Sequence, residues 1–258
     1  MGGKASSLIW CEYNPPTFST QSKPSNYLYC YKLPPPSYNY NWTDLHYAAS
    51  HGNVRRIQEI IHKSGTVNLN KKDYYGKTPL YWAAYKGHKA CLEELLKFGA
   101  SVNTKCRHGG SPLHAVVSLY PECALLLIKH GADVNQADNW GVTPMYLAAT
   151  SGQIDVIRYL LASGAIPDVR NKKTGEIPRQ LNSHKDFCNY LSTLSKNPPS
   201  LQQLCRVKIR QRMREHPNLK IGTLGVPRKL KDYLSLAEFE HQPQKQSSHS
   251  SFNVLCQS

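Results

Sequence analysis

The sequence predicts an all-α chain: a solenoid of stacked helix pairs followed by a small, separate helical box. Three observations carry this. Two short phrases recur in step at intervals of about 33 residues, the period of a repeat array. Each recurrence is followed by apolar residues three and four apart, the spacing of one buried helical stripe. After Pro198-Pro199 the phrases stop and a different helical pattern begins.

The first phrase reads Thr43-Asp44-Leu45-His46-Tyr47-Ala48-Ala49, Thr78-Pro79-Leu80-Tyr81-Trp82-Ala83-Ala84, Ser111-Pro112-Leu113-His114-Ala115-Val116 and Thr143-Pro144-Met145-Tyr146-Leu147-Ala148-Ala149. Thr or Ser opens a helix as N-cap, and Pro is tolerated next because its missing N–H has no partner there. The Ala pair keeps this first helix thin, so the following repeat can stack closely. Bulk comes from the second helix, through Cys91, Leu92, Leu95 and Leu96 in one repeat and Ile154, Ile157, Leu160 and Leu161 in another. The second phrase begins at Gly99, Gly131 and, more weakly, Gly164, where a left-handed residue ends the helix.

Phrases spelled this way resemble ankyrin repeats, over residues 42–196: about four repeats and a degenerate C-terminal cap. Asp44 replaces the usual Pro in the first repeat, as befits an end unit. The third repeat loses a residue around Leu119-Tyr120-Pro121, which predicts an altered turn between its helices. The cap is expected from Gly175 through Leu181, followed by Phe187, Tyr190 and Leu191, because a solenoid must cover its last apolar face.

The ends read differently. Residues 1–41 form a tail broken by Pro15-Pro16 and Pro34-Pro35-Pro36 and carrying six tyrosines (Tyr13, Tyr27, Tyr29, Tyr31, Tyr38, Tyr40), and residues 241–258 are rich in Gln, Ser and His. Both are expected to be disordered. No stretch reaches the roughly 18 apolar residues that cross a bilayer, and no signal-type segment follows the start. A cytoplasmic location is the expectation. The eight cysteines are scattered, with no C-x-x-C pair, so free thiols are expected and neither a zinc site nor any cofactor. Met1-Gly2-Gly3-Lys4-Ala5-Ser6 fits the N-myristoylation pattern with Gly2 as acceptor; a chance match is the alternative. One acyl chain binds membranes only marginally, so membrane association would need help from Cys11 or the basic surface.

Residues 198–240 form the box. Ser200-Leu201-Gln202-Gln203 is a capping box, and Leu201, Cys205, Ile209 and Met213 recur every four residues with Leu204 beside them. Ser200-Leu201-x-x-x-Cys205-x-x-x-Ile209 resembles the elongin-binding motif that opens a SOCS box. Leu224-Gly225-Val226-Pro227-x-x-Leu230-x-x-Tyr233-Leu234 resembles the cullin-binding motif that closes it, with Gly225 where that family often has Pro. Ankyrin repeats followed by this box define the ankyrin repeat and SOCS box family. The resemblance implies that Leu201, Leu204, Cys205 and Ile209 bind elongin C with elongin B, and that Leu224, Val226, Pro227, Leu230, Tyr233 and Leu234 bind cullin-5 with its RING partner. It further implies a non-catalytic substrate receptor of a ubiquitin ligase. Physically, an apolar stripe at i, i+4 and i+8 lays into a groove on another protein. The alternative is that these helices complete the ankyrin core, leaving a scaffold without a role in ubiquitination.

Mapping by phase places Tyr74, Tyr75, Lys77, Tyr85, Lys86, Lys105, Arg107, His108, Asn139 and Trp140 on loop tips and first helices, where such stacks hold ligands. Aromatic residues and Arg dominate binding energy, so an acidic protein substrate with an apolar anchor is expected; packing of these aromatics on adjacent loops is the alternative. The net charge of +15 would also suit nucleic acid. The densest basic run, Arg206, Lys208, Arg210, Arg212 and Arg214, lacks interleaved aromatics and reads instead as a solvated helix face or one meeting acidic ligase surfaces. No nucleophile stands in phase with a base, so no enzymatic activity is expected.

Overall fold

A computed structural model describes residues 41–63, 67–178, 200–213 and 217–237, with 181, 189 and 193 as isolated positions. The predicted tails, Gly2, Cys11, Arg214 and most of the predicted cap, including Phe187, Tyr190 and Leu191, lie outside the described residues.

Helices α1 (Asp44–Ser50) and α2 (Val54–Lys63) form the first pair, and α3 (Pro79–Lys86) and α4 (Lys89–Lys97) the second. The third pair is α5 (Pro112–Val116) with α6 (Pro121–Lys129), and the fourth α7 (Pro144–Thr150) with α8 (Ile154–Ala162). First helices stack in the order α1, α3, α5, α7 and second helices in the order α2, α4, α6, α8. The box follows as α9 (Leu201–Met213), α10 (Pro217–Gly222) and α11 (Arg228–Ser235), with α9 packed on both others. The described residues thus form the expected all-α solenoid and box.

The recurring phrases now have atomic reasons. Thr78 and Thr143 accept the N–H of Tyr81 and Tyr146, each at 3.2 Å, and Pro occupies the first turn. In the first and third repeats a histidine completes the cap. His46 Nδ1 accepts from Thr43 N at 3.2 Å, and His114 Nδ1 from Ser111 N at 3.2 Å. Their Nε2 atoms reach the next repeat, at 3.2 Å from the carbonyls of Lys77 and Val142. Those carbonyls assign the proton to Nε2. Gly99, Gly131 and Gly164 take φ of 88°, 90° and 91°, and the following alanine N–H returns to Leu95, Leu127 and Leu160, the Schellman closure.

Ala48, Ala49, Ala83, Ala84, Ala148 and Ala149 are all buried, as are Cys91, Leu92, Leu95 and Leu96. The stripe of α8 is rotated from the expected one: Val156, Ile157, Tyr159 and Leu160 are buried, while Ile154 and Leu161 are only partly so. Ile154 holds the outward helix-start position that Lys89 holds in α4. The third repeat does turn differently. The other repeats turn at left-handed Gly52, Gly87 and Gly152, whereas residues 117–120 include no left-handed position, and the Tyr120 ring fills the space beside Gly87.

Between repeats the chain makes hairpin fingers. Asp73 Oδ1 accepts from Tyr75 N and Lys77 N at 2.9 and 2.8 Å, and Asp138 Oδ1 accepts from Trp140 N and Val142 N, both at 2.9 Å. Neighbouring fingers are laced by Arg107 N to Tyr75 O at 2.9 Å, Asn139 N to His108 O at 2.9 Å and Lys172 N to Gly141 O at 2.8 Å. Asn103 and Asn135 tie each repeat to the next, accepting from Asp133 N at 2.8 Å and Ile166 N at 2.9 Å.

Cys91, Cys106, Cys123 and Cys205 carry free thiols. Burial pushes the Cys91 and Cys123 thiols up to about 11, so both stay protonated and serve as packing groups.

The buried histidines make the stack acid-sensitive. Burial, opposed by bonding to the Val142 and Gln136 backbone, holds His114 down at about 4, and burial lowers His46 in the same direction. An unfolded histidine titrates near 6.5, so below that pH the unfolded chain binds the extra proton. His114 therefore contributes stability that is present above about pH 6.5 and lost as pH falls towards about 4, by about 3 kcal/mol. Urea unfolding at about pH 7 and about pH 4.5 should show this loss, and His114→Gln should flatten most of it.

Candidate functional site

The box presents two faces of opposite character on one helix. Ser200 caps α9: its N–H donates to Gln203 Oε1 at 3.0 Å, and Gln203 N donates to Ser200 Oγ at 3.2 Å. Just inside this cap, Leu201 is 77 % exposed and Leu204 44 %, and Cys205 is exposed beside them. Ile209 is half-buried. The apolar ridge is therefore open over its first turn and a half and narrows at Ile209.

The opposite face holds the helix down. Arg206 and Arg210 are buried, against the expectation of a solvated basic run; only Lys208 and Arg212 of the described run are exposed. Arg210 Nη1 donates to Leu234 O at 2.8 Å, and Nη2 donates to Ile128 O at 2.8 Å and Lys129 O at 3.4 Å. Ile128 and Lys129 end α6, and Leu234 lies near the end of α11. Two helix C-termini, each carrying partial negative charge, converge on one guanidinium, which offsets part of the cost of burying it. Burial, then the neighbouring Arg206 charge, lowers Arg210 to about 10, so it remains protonated at neutral pH. Arg206 lies 4.2 Å over the Tyr233 ring, a cation–π contact. Val207 completes the seam against Gly164, where an added Cβ would meet Val207 Cγ1 at 2.5 Å.

The predicted closing motif divides. Pro227 and Leu230 are exposed, Leu224 and Val226 half-buried. Tyr233 is half-buried beneath Arg206, and Leu234 is 2 % exposed. Leu234 therefore belongs to the box interior, because its side chain closes the core of the box while its carbonyl serves Arg210. Ile221 and Leu236 are buried with it.

On the finger side the correction concerns Lys77. It is 3 % exposed, not a tip residue. Its ammonium lies 4.6 Å from the Trp82 ring centroid, 5.2 Å from Tyr81, 5.5 Å from Tyr85 and 5.7 Å from Tyr75, so aromatic faces take the place of water around the charge. The cage rests on Asp73, whose Oδ2 accepts from Trp82 Nε1 at 2.9 Å and Trp42 Nε1 at 3.2 Å. Lys86 and Tyr85 are half-exposed. Tyr74, Lys105, Arg107 and Asn139 are exposed, with Tyr75, His108 and Trp140 partly so. Several do pack on one another: Arg107 lies 4.3 Å over Tyr74, and His108 stacks on Trp140 at 5.1 Å. Burial, then the Lys77 and Arg107 charges, lowers His108. Among the described residues no group of His, Cys, Asp and Glu is arranged to hold a metal ion, and no helix is long and apolar enough to cross a membrane.

Repeats with these caps, fingers and stacked alanines define an ankyrin-repeat protein, and the family model for ankyrin repeats (3 copies) matches residues 26–106 and 102–171. The SOCS box model matches residues 197–235, which contain the ridge and the arginine seam. The chain belongs to the ankyrin repeat and SOCS box family. It is 36 % identical over 155 residues to ankyrin repeat and SOCS box protein 5 of Mus musculus, covering 57 % of this chain and 46 % of that protein. To ankyrin repeat and SOCS box protein 11 of Danio rerio it is 34 % identical over 158 residues, 61 % of this chain and 53 % of the relative. The chain is also 34 % identical over 130 residues to the human transient receptor potential cation channel subfamily A member 1, half of this chain and 12 % of the channel. The chain spans about half the length of the family relatives it matches.

Proposed function

We propose that this chain is the substrate-recognition subunit of a cullin-RING ubiquitin ligase, binding elongin C with elongin B and cullin-5 with its RING partner through the box, and a target protein through the ankyrin surface. The adaptor is non-catalytic, its chemistry being supplied by the assembled ligase. Membership of the family and the SOCS box match support this reading. The single observation that carries it is the exposure of Leu201 on a helix otherwise clamped by Arg206 and Arg210. A free helix could roll to bury its leucines on the solenoid. This one is fixed with its ridge outward, and burying a leucine of that kind in a partner's groove is worth about 1.5–3 kcal/mol. Pro227 and Leu230, with Leu224 and Val226 beside them, are the closing-motif side chains available to the cullin.

Capture of elongin B/C and cullin-5 by the full chain tests this. Leu201→Ala with Cys205→Phe should weaken elongin C capture by about tenfold or more, since about 1.4 kcal/mol is tenfold. Thermal unfolding of the ankyrin stack should be unchanged, because both side chains are exposed. Equal capture by wild type and variant, or none by either, would remove the ligase assignment and leave a binding scaffold.

A further inference from the structure

On the fingers, exposed basic side chains outnumber the exposed acidic ones, Asp133, Asp168 and Glu176. The ion pairs among the described residues, Arg56 with Asp44 and Glu59, Lys89–Glu122, Lys97–Glu94, Arg158–Asp155 and Arg228–Asp232, all join helical residues. None involves a finger. The acids best placed to neutralise the fingers, Asp73 and Asp138, are turned inward and buried, their oxygens engaged by backbone and indole N–H groups. That leaves Lys71, Lys72, Lys105, Arg107, Lys172 and Lys173 at the tips. Lys72 and Lys172 donate to neighbouring carbonyls, Lys105 O and Asn135 O, each at 3.0 Å, contacts that hold the side chains without cancelling their charge.

We propose that the finger tips from Tyr74 to Lys173 bind an extended acidic peptide segment of the target, with the Arg107 fork taking a carboxylate and Tyr74 offering the apolar contact beside it. The proposal rests on the adaptor reading, because the segment is what the receptor would present to the ligase. Arg107 lies 4.3 Å over Tyr74, a contact that restrains its guanidinium, and a restrained guanidinium pairs with a carboxylate bidentately at lower entropic cost. The fingers are laced by the backbone bonds of Arg107, Asn139 and Lys172, so the surface is organised before the ligand arrives. A polynucleotide fits less well. One face of Tyr74 is covered by Arg107 and one of Trp140 by His108, which reduces the ring surface on which bases could stack.

Fluorescence anisotropy of the full chain tests this with three probes: a labelled peptide of Asp and Glu around one leucine, the same peptide with Asn and Gln for its acids, and an oligouridylate of equal charge. The acidic peptide should bind at least about tenfold more tightly than either other probe, a discrimination of the size one charge-assisted contact supplies. Arg107→Glu should abolish most of that binding, and Arg107→Lys should lose part of it, a point charge having no fork. Elongin C capture should be untouched by both. Absence of acidic-peptide binding, equal binding of the neutral peptide, no effect of Arg107→Glu, or tighter binding of the oligonucleotide each overturns the proposal. Loss of elongin capture in the wild type would strike the adaptor reading instead, leaving the anisotropy result to stand by itself.

Discussion

Trp82→Ala should destabilise the first two repeats by about 4–5 kcal/mol, at the upper end for aromatic truncation in a core. Three losses coincide at this side chain. It is fully buried, so its removal leaves a void against Trp42, whose ring centroid lies 4.9 Å away. Its Nε1–H is a donor to Asp73 Oδ2 at 2.9 Å, and a buried carboxylate deprived of one donor is costly. Its face is also nearest to the Lys77 ammonium, at 4.6 Å, which then loses part of the cage that replaced its hydration. Each repeat buries its face only on its neighbours, so the damage should spread along the array from the second repeat. Trp82→Phe retains most of the volume while deleting the donor, and should cost about 1–2 kcal/mol. Urea titration followed by far-UV circular dichroism checks both values. Near-equal losses from the two variants would show that the hydrogen bond, not the void, dominates.

What could be read without coordinates here is what local rules govern. Thr78 before Pro79, Ser200 three residues before Gln203, and Gly99, Gly131 and Gly164 after apolar stripes each state a cap or a stop within a few residues. Asn103 and Asn135 sit in a visible phrase, yet their bridging role is spelled only across repeats, in bonds to Asp133 N and Ile166 N. Lys77 was misplaced for the opposite reason. Phase put it beside the loop tip, whereas four aromatic residues between positions 75 and 85 fold over it; that local density of rings around one lysine was the available clue. Arg206 and Arg210 had no such clue. Arg210 donates to the carbonyl oxygens of Leu234 and Ile128, 24 and 82 positions away, and helix ends carry no residue-type signature of the service they perform. The open ridge at Leu201 was legible because an apolar stripe on a basic helix must be covered by something.

Arg210→Ala should release the box from the third repeat at a cost of about 3–5 kcal/mol, the range for deleting one partner of a buried charged network. The truncation leaves the carbonyls of Leu234, Ile128 and Lys129 without the donor that joins them, and α9 loses a side chain that bonds to both α6 and α11. Hydrogen exchange should quicken through residues 201–235 while the first two repeats keep their protection, since few of their contacts involve this seam. Arg210→Lys should recover only part, because an ammonium cannot serve two helix ends in the plane of a fork. A second variant reaches the same seam from the other side. Gly164→Ala forces a Cβ against Val207 at φ 91°, whereas Gly99→Ala at φ 88° meets nothing within 4 Å. Both pay the left-handed backbone strain of about 1 kcal/mol, so the excess loss at Gly164 measures the seam alone. If Arg210→Ala and Gly164→Ala both loosen α9 while elongin C capture through Leu201 persists, then the ridge and the seam are independent faces of one helix, one serving the ligase and the other fixing where the ligase stands relative to the fingers.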